Sequence, residues 1–186
     1  MTAHFQLTTP RLLLRPFEDR DRAPFAAMNA DPAVMHFFAS TYTPEESDSH
    51  IARYQHQLAR DRFSFCAAIE KQTGDFLGII GMQTMYIEVP NLPQPAVELG
   101  WRLAAHAHGK GYATEGAQAF IDHARHLHLP SVVAITTPDN LASRNVMQKL
   151  GMTHRPELTF DHPLISPNHP RRQHVLYSLE LTQPCA

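Results

Sequence analysis

The chain has 186 residues, 43% of them hydrophobic and 18% charged, and a formal charge of -2, which fits a single domain over residues 1–186 with one sizeable core. The near-balanced charge argues against a general attraction to nucleic acid. Two cysteines, Cys66 in an apolar run and Cys185 near the end, make neither a disulfide framework nor a zinc-type pairing, and with no apolar leader or run of eighteen apolar residues no membrane partner is expected and the cytoplasm is the expected compartment.

Arg11–Arg15 is a short apolar run closed by Pro16 and predicts the first strand. Glu18 to Ala30 carries helical spacing through Ala23, Ala26 and Ala27, with Phe25 beside them and acids in its first turn, and Asp31-Pro32 stops it. Thr43-Pro44-Glu45-Glu46 has the form of a capping box with proline at the first helical position, and Ile51, Tyr54 and Leu58 follow on one face. Phe63–Ile69 and Phe76–Thr84 predict two strands joined by a glycine-containing turn. The proline-rich piece from Val89 to Pro95 is a loop, because proline cannot donate to a ladder.

Ala96–Leu103 predicts a strand that feeds the segment His106-Ala107-His108-Gly109-Lys110-Gly111-Tyr112-Ala113-Thr114. Gly109 and Gly111 supply left-handed backbone angles and close approach, Lys110 adds a cation, and Ala113, Ala117, Phe120, Ile121, Ala124 and Leu127 then keep helical spacing. A glycine turn opening a helix presents unpartnered N–H groups at the positive end of the helix dipole, and that is an anion site. It lacks the Gly-Lys-Ser/Thr ending of a nucleotide-triphosphate loop. Val132–Ile135 follows as a wholly apolar strand, and Asn140 opens a second helix with Leu141, Val146, Met147 and Leu150 directed inward and Gly151 as its stop. Phe160 and His174–Leu181 mark two closing strands around a Pro- and His-rich loop. Hairpin strands early and strand–helix units later predict an α/β class, a mixed sheet of about six to seven strands with helices on both faces.

The order of glycine turn, long helix, apolar strand and Asn140-Leu141-Ala142-Ser143-Arg144-Asn145-Val146-Met147-Gln148-Lys149-Leu150-Gly151 resembles the GNAT superfamily of acyl-CoA-dependent N-acetyltransferases. Thr9-Pro10-Arg11-Leu12 and Asp31-Pro32 are similar to the Rim-type branch that acetylates ribosomal-protein N-termini. The family's pyrophosphate signature begins with Gln or Arg, where this chain has His106, while Gly109 and Gly111 match. The resemblance implies the GNAT fold, acetyl-CoA as co-substrate, no metal, a primary amine acceptor (a peptide N-terminus or a small molecule) and a possible homodimer.

Amine acetylation needs a neutral amine, a donor for the developing oxyanion and a proton for the departing thiolate. On the family's pattern Glu98 is the general base, on the strand that splays to admit the cofactor, and Ser143 protonates the thiolate. Trp101, Leu103, His108, Gly109, Lys110, Gly111, Tyr112, Ala113, Thr114, Asn140 and Asn145 are the implied cofactor contacts. Asn140 is equally a ready N-cap. Phe37 and Phe38, between the first two helices, and Asp161, His162 and His174, in and after the long polar loop, are the implied acceptor-side residues. His123, His126 and His128 form a solvated helix end rather than a metal set, since no acid or cysteine completes one. The alternative to catalysis is an acyl-CoA-binding sensor or partner module without turnover.

Overall fold

The computed structural model describes residues 5–181, so Cys185 lies outside the described residues. In chain order the elements are β1 (Leu7–Thr8), β2 (Leu12–Arg15), α1 (Arg22–Ala30), α2 (Pro44–Asp61), β3 (Phe65–Glu70), β4 (Phe76–Thr84), β5 (Val97–Leu103), α3 (Tyr112–His126), β6 (Ser131–Thr136), α4 (Leu141–Lys149), β7 (Thr153–His154), β8 (Phe160–Asp161) and β9 (Gln173–Glu180). The strands lie in the order β1-β2-β3-β4-β5-β6-β9-β7, with β8 added on β9. Among the described residues only β5 and β6 run parallel; every other pair is antiparallel. The mixed sheet expected from the sequence is present with nine strands rather than six to seven, because β1, β7 and β8 have two residues each and leave no periodic trace.

Strand alternation divides the core. Leu12, Leu14, Cys66, Ala68, Ile80, Met82, Leu99 and Leu103 meet Ala117, Phe120 and Ile121 of α3 and Met147 of α4. On the opposite face Phe65, Ala67, Ile69 and Ile79 meet Phe25 and Met28 of α1 and Ile51 and Tyr54 of α2. The period of two in each strand therefore assigns one face to each helix pair.

At the start of α2, the Glu46 N–H donates to Thr43 Oγ1 at 3.2 Å and the Thr43 N–H donates to Glu46 Oε2 at 2.7 Å, the reciprocal box expected from the sequence. Thr43→Ala should cost about 1 kcal/mol, read as a lower urea midpoint at unchanged m. The buried stripe of α2 runs Ser47, Ile51, Tyr54, Gln57. Leu58, expected on it, is only half-buried, and Gln57 takes the place because its Oε1 accepts from the Ser64 hydroxyl at 3.5 Å. In α4 the expectation for Leu141 is corrected: it is 63% exposed. At 3.6 residues per turn it stands about 140° from Val146 and about 120° from Met147, on the far side of the stripe they form with Leu150.

Candidate active site

β5 and β6 share one ladder position, Glu98 with Val133. Past it β5 stays with β4 as far as Leu103, while β6 pairs with β9 from Ser131 to Thr136, so the two strands part. The Ala104 N–H donates to the Leu77 carbonyl and the Met85 N–H to the Ala96 carbonyl, both at 2.9 Å. Antiparallel alternation then turns Glu98, Gly100 and Arg102 toward β4 and aims the backbone groups of Leu99, Trp101 and Leu103 into the split. The Leu103 carbonyl is met there by His108 Nε2 at 2.8 Å.

The glycine turn stands beside this opening. Gly109 and Gly111 hold φ of +73° and +84°, both left-handed, and Gly111 is the N-cap of α3. The first ladder bond of the helix runs from the Glu115 N–H to the Gly111 carbonyl, so the amides of Tyr112, Ala113 and Thr114 have no acceptor within the helix. His108 contributes its ring rather than its amide, which donates to the Ala105 carbonyl. His106 is exposed on the short 3-10 turn before it. A brace that sequence reasoning missed holds the loop: the Glu115 carboxylate accepts from Thr9 Oγ1 at 2.6 Å, the Arg11 amide at 2.9 Å and Arg11 Nε at 2.6 Å, while Arg11 Nη1 donates to the Lys110 carbonyl at 2.9 Å. Burial pushes the Glu115 carboxyl up, but these hydrogen bonds and the Arg11 charge hold it below the usual range. The Arg11 guanidinium also covers the Tyr112 ring at 4.5 Å, and the Tyr112 hydroxyl donates to Glu70.

Asn140 is the N-cap of α4. Its Oδ1 accepts from the Ser143 N–H at 3.1 Å and its Nδ2 donates to Thr136 Oγ1 at 2.9 Å, leaving one amide hydrogen for a ligand. Ser143 is half-buried and Asn145 is exposed. Arg144 turns inward, to the Tyr177 hydroxyl at 3.1 Å and the Pro138 carbonyl at 2.8 Å.

The Glu98 side chain lies on the opposite sheet face from α3, toward α1 and α2. Gln83, its partner across β4, donates from Nε2 to Glu98 Oε2 at 2.9 Å. Burial pushes the Glu98 carboxyl up, while the Gln83 hydrogen bond and the Arg53 charge draw it part of the way back. Arg102, on the same face, donates to Asn29 Oδ1 at 2.6 Å and covers the rings of Phe38 at 4.3 Å and Tyr42 at 5.3 Å. Phe37 instead packs against His36 and lies under the Arg171 guanidinium at 5.1 Å. Asp161 pairs with Arg172 at 3.0 Å, and the His162 and His174 rings sit 5.1 Å apart. Burial first, then the charge on His174, pushes His162 down to about 4; burial likewise lowers His174. Both imidazoles are therefore neutral near pH ~7.

His123 packs edge-on to Phe5 with ring centroids 5.2 Å apart, and among the described residues no three acidic, histidine or cysteine side chains form a metal-holding group. Cys66 is fully buried, and burial pushes its thiol well above the usual range, which removes it as a nucleophile.

With this geometry in place, comparison with known proteins identifies the family. The family model described as acetyltransferase (GNAT) domain matches residues 11–153. This chain belongs to the GNAT acetyltransferases. It is 32% identical over 154 residues to the uncharacterized Bacillus subtilis (strain 168) protein YkkB, covering 82% of this chain and 87% of YkkB. A crystal structure of an acetyltransferase from Agrobacterium tumefaciens strain C58 superimposes with a TM-score of 0.76 at 25% identity, over 97% of this chain and 96% of that one. RimL, described as a ribosomal L7/L12 α-N-protein acetyltransferase and solved in complex with coenzyme A, shares the fold with a TM-score of 0.75 at 15% identity, covering 95% and 98% of the two chains. As a GNAT enzyme the chain is an acyl-CoA-dependent acetyltransferase with acetyl-CoA as its donor.

Around Glu98 and the glycine turn the structure also gathers Gln83, Arg53 and Arg102, which no motif in the sequence singled out, and the contact between Arg11 and Glu115, which only the fold brings together. The alternation Glu98, Gly100, Arg102 against Leu99, Trp101, Leu103 was a legible signal for Arg102. Gln83 and Arg53 reach Glu98 only through strand register and helix packing.

Proposed function

We propose that this enzyme acetylates a primary amine by direct attack within a ternary complex. The observation that carries the reading is the position of Glu98: its backbone stands at the last shared rung before β5 and β6 part, and its half-buried carboxylate faces the α1–α2 side.

The loop amides from Gly109 to Thr114, with Lys110, hold the pyrophosphate, Asn140 and the Trp101–Leu103 backbone line the path of the pantetheine arm, and Asn145 contacts the nucleotide end. When bound, acetyl-CoA supplies an activated acetyl thioester. Glu98 takes a proton from the incoming ammonium, directly or through one water, and its raised pKa makes it a better base near neutrality than an ordinary carboxylate. The amine nitrogen bonds to the thioester carbon while a backbone N–H of β5 in the split faces the developing oxyanion, the C–S bond then breaks, and the second proton shed by the attacking nitrogen passes through the Ser143 hydroxyl to the departing thiolate, leaving Ser143 neutral. Phe37, Phe38, Asp161, His162 and His174 line the acceptor side, the two histidines as neutral hydrogen-bonding groups.

Acetyl-CoA at saturating concentration should raise Tm by several degrees, since ligand at ~100 Kd adds about 2.7 kcal/mol. An amine panel should then release coenzyme A thiol only when protein is present. A Tm shift with no thiol release for any amine would replace catalysis by an acyl-CoA-sensing role.

A further inference from the structure

Resting on that reading, we infer that the acceptor is a small amine that also carries a carboxylate, recognised by Arg53 of α2 and Arg102 of β5. Neither guanidinium has a carboxylate within ion-pair distance among the described residues. Both are nevertheless held in place. Arg53 lies over the rings of Tyr54 at 5.1 Å and Tyr86 at 5.2 Å, with its Nη2 donating to His50 Nδ1 at 2.9 Å. Burial and the two arginine charges push His50 down to about 4, so it serves as a neutral acceptor and does not add a third cation. Arg102 is fixed by Asn29, a fully buried residue whose Nδ2 in turn donates to Ser47 Oγ at 3.0 Å. Arg53 acts on the Glu98 carboxyl and, with Arg102, on His50, where Glu46 offsets them only in part, so two ordered guanidinium groups without an ion-pair partner lie on this side of the sheet and an anionic group on the acceptor answers them.

Two buried atoms without partners point to the same chemistry. Arg102 Nε is a donor with no acceptor, and Gln83 Oε1, on a side chain only 5% exposed, is an acceptor with no donor. A carboxylate answers the first and an ammonium beside Glu98 answers the second. One face of each of Phe38, Tyr42, Tyr54 and Tyr86 is already covered by a guanidinium group, so a polyamine or aminoglycoside meets two like charges there. Arg171 favours a small acceptor over a protein tail. From the long loop after β8 it joins Asp139, before α4, to His36 and the Phe37 ring, between α1 and α2, and so ties the two walls of the site together.

The test uses the full chain with acetyl-CoA and matched acceptors: L-amino acids, their carboxamides, the decarboxylated amines, spermidine and an uncharged N-terminal tetrapeptide. The carboxylates should show kcat/KM roughly 10- to 100-fold above their carboxamides. Arg53→Gln should erase that preference through KM, Arg53→Lys should keep part of it, and both should retain the Tm shift with acetyl-CoA. Carboxamides, spermidine or the peptide turned over as well as the carboxylates would overturn the inference. If no acceptor releases thiol, calorimetry of the same compounds against the CoA-loaded protein decides: carboxylate binding lost in Arg53→Gln upholds the inference and removes only the catalytic reading, and absence of binding removes the inference.

Discussion

Glu98→Gln should lower kcat about 100- to 1,000-fold, the usual weight of a positioned general base, while acetyl-CoA still raises Tm as in the wild type. The substitution keeps the size of the side chain and removes only its ability to take a proton. The pH profile gives a second readout. A base works when ionised, and burial holds this carboxyl above the ordinary range, so the acidic limb of kcat/KM should lie above pH ~4.5 in the wild type and vanish in the variant. Stability moves the other way. A carboxyl whose folded pKa is raised contributes stability below its unfolded pKa and loses it as pH rises through the folded value, so at pH ~7 the Gln variant should melt no lower than the wild type. An unchanged kcat, or a large fall in Tm, would make Glu98 a structural residue.

Gly111→Val should weaken acetyl-CoA binding about tenfold or more, because an L-residue at φ +84° costs about 1–2 kcal/mol and relief of that strain rotates the amides that open α3. A Cβ at this position would also stand 3.4 Å from Arg11 Nη2, within the brace that holds the loop. Gly74→Val is the control. Gly74 has nearly the same φ, +79°, in the turn between β3 and β4, with nothing within 4 Å of an added Cβ. Both variants should lose stability, and only Gly111→Val should lose acetyl-CoA affinity in calorimetry. Equal affinities would show that the helix-terminal amides do not hold the pyrophosphate.

The local geometry of the proposed donor half was legible because its parts are close in the chain. Gly109, Gly111 and the helix after them lie within one short segment, and Asn140 caps α4 through Ser143, three residues away. Such features depend on backbone angles and unpartnered helix-end groups, which neighbouring residues determine. Glu98 was reached through resemblance to a family whose strand splays at that point. Its surroundings were not legible: Gln83 arrives by the β4–β5 register, Arg53 by the docking of α2, and the histidine pair by the return of β9 beside β8. Leu141 shows the converse error, an apolar residue read as core although helical rotation carries it outward.

By itself, then, the sequence determined an α/β chain with a glycine turn that opens a helix, a capped helix after β6 and a resemblance that names the acyl donor. Periodicity and capping are short-range, and they survive without knowledge of the fold. Only the tertiary structure decided that β5 and β6 part after a single shared rung, and that Arg53, Gln83, Glu98 and Arg102 lie on the sheet face that α1 and α2 cover. Arg53 comes from α2, Gln83 from β4, and Glu98 and Arg102 from β5. Their juxtaposition follows from packing both helices on one face of a twisted sheet, which no local pattern encodes.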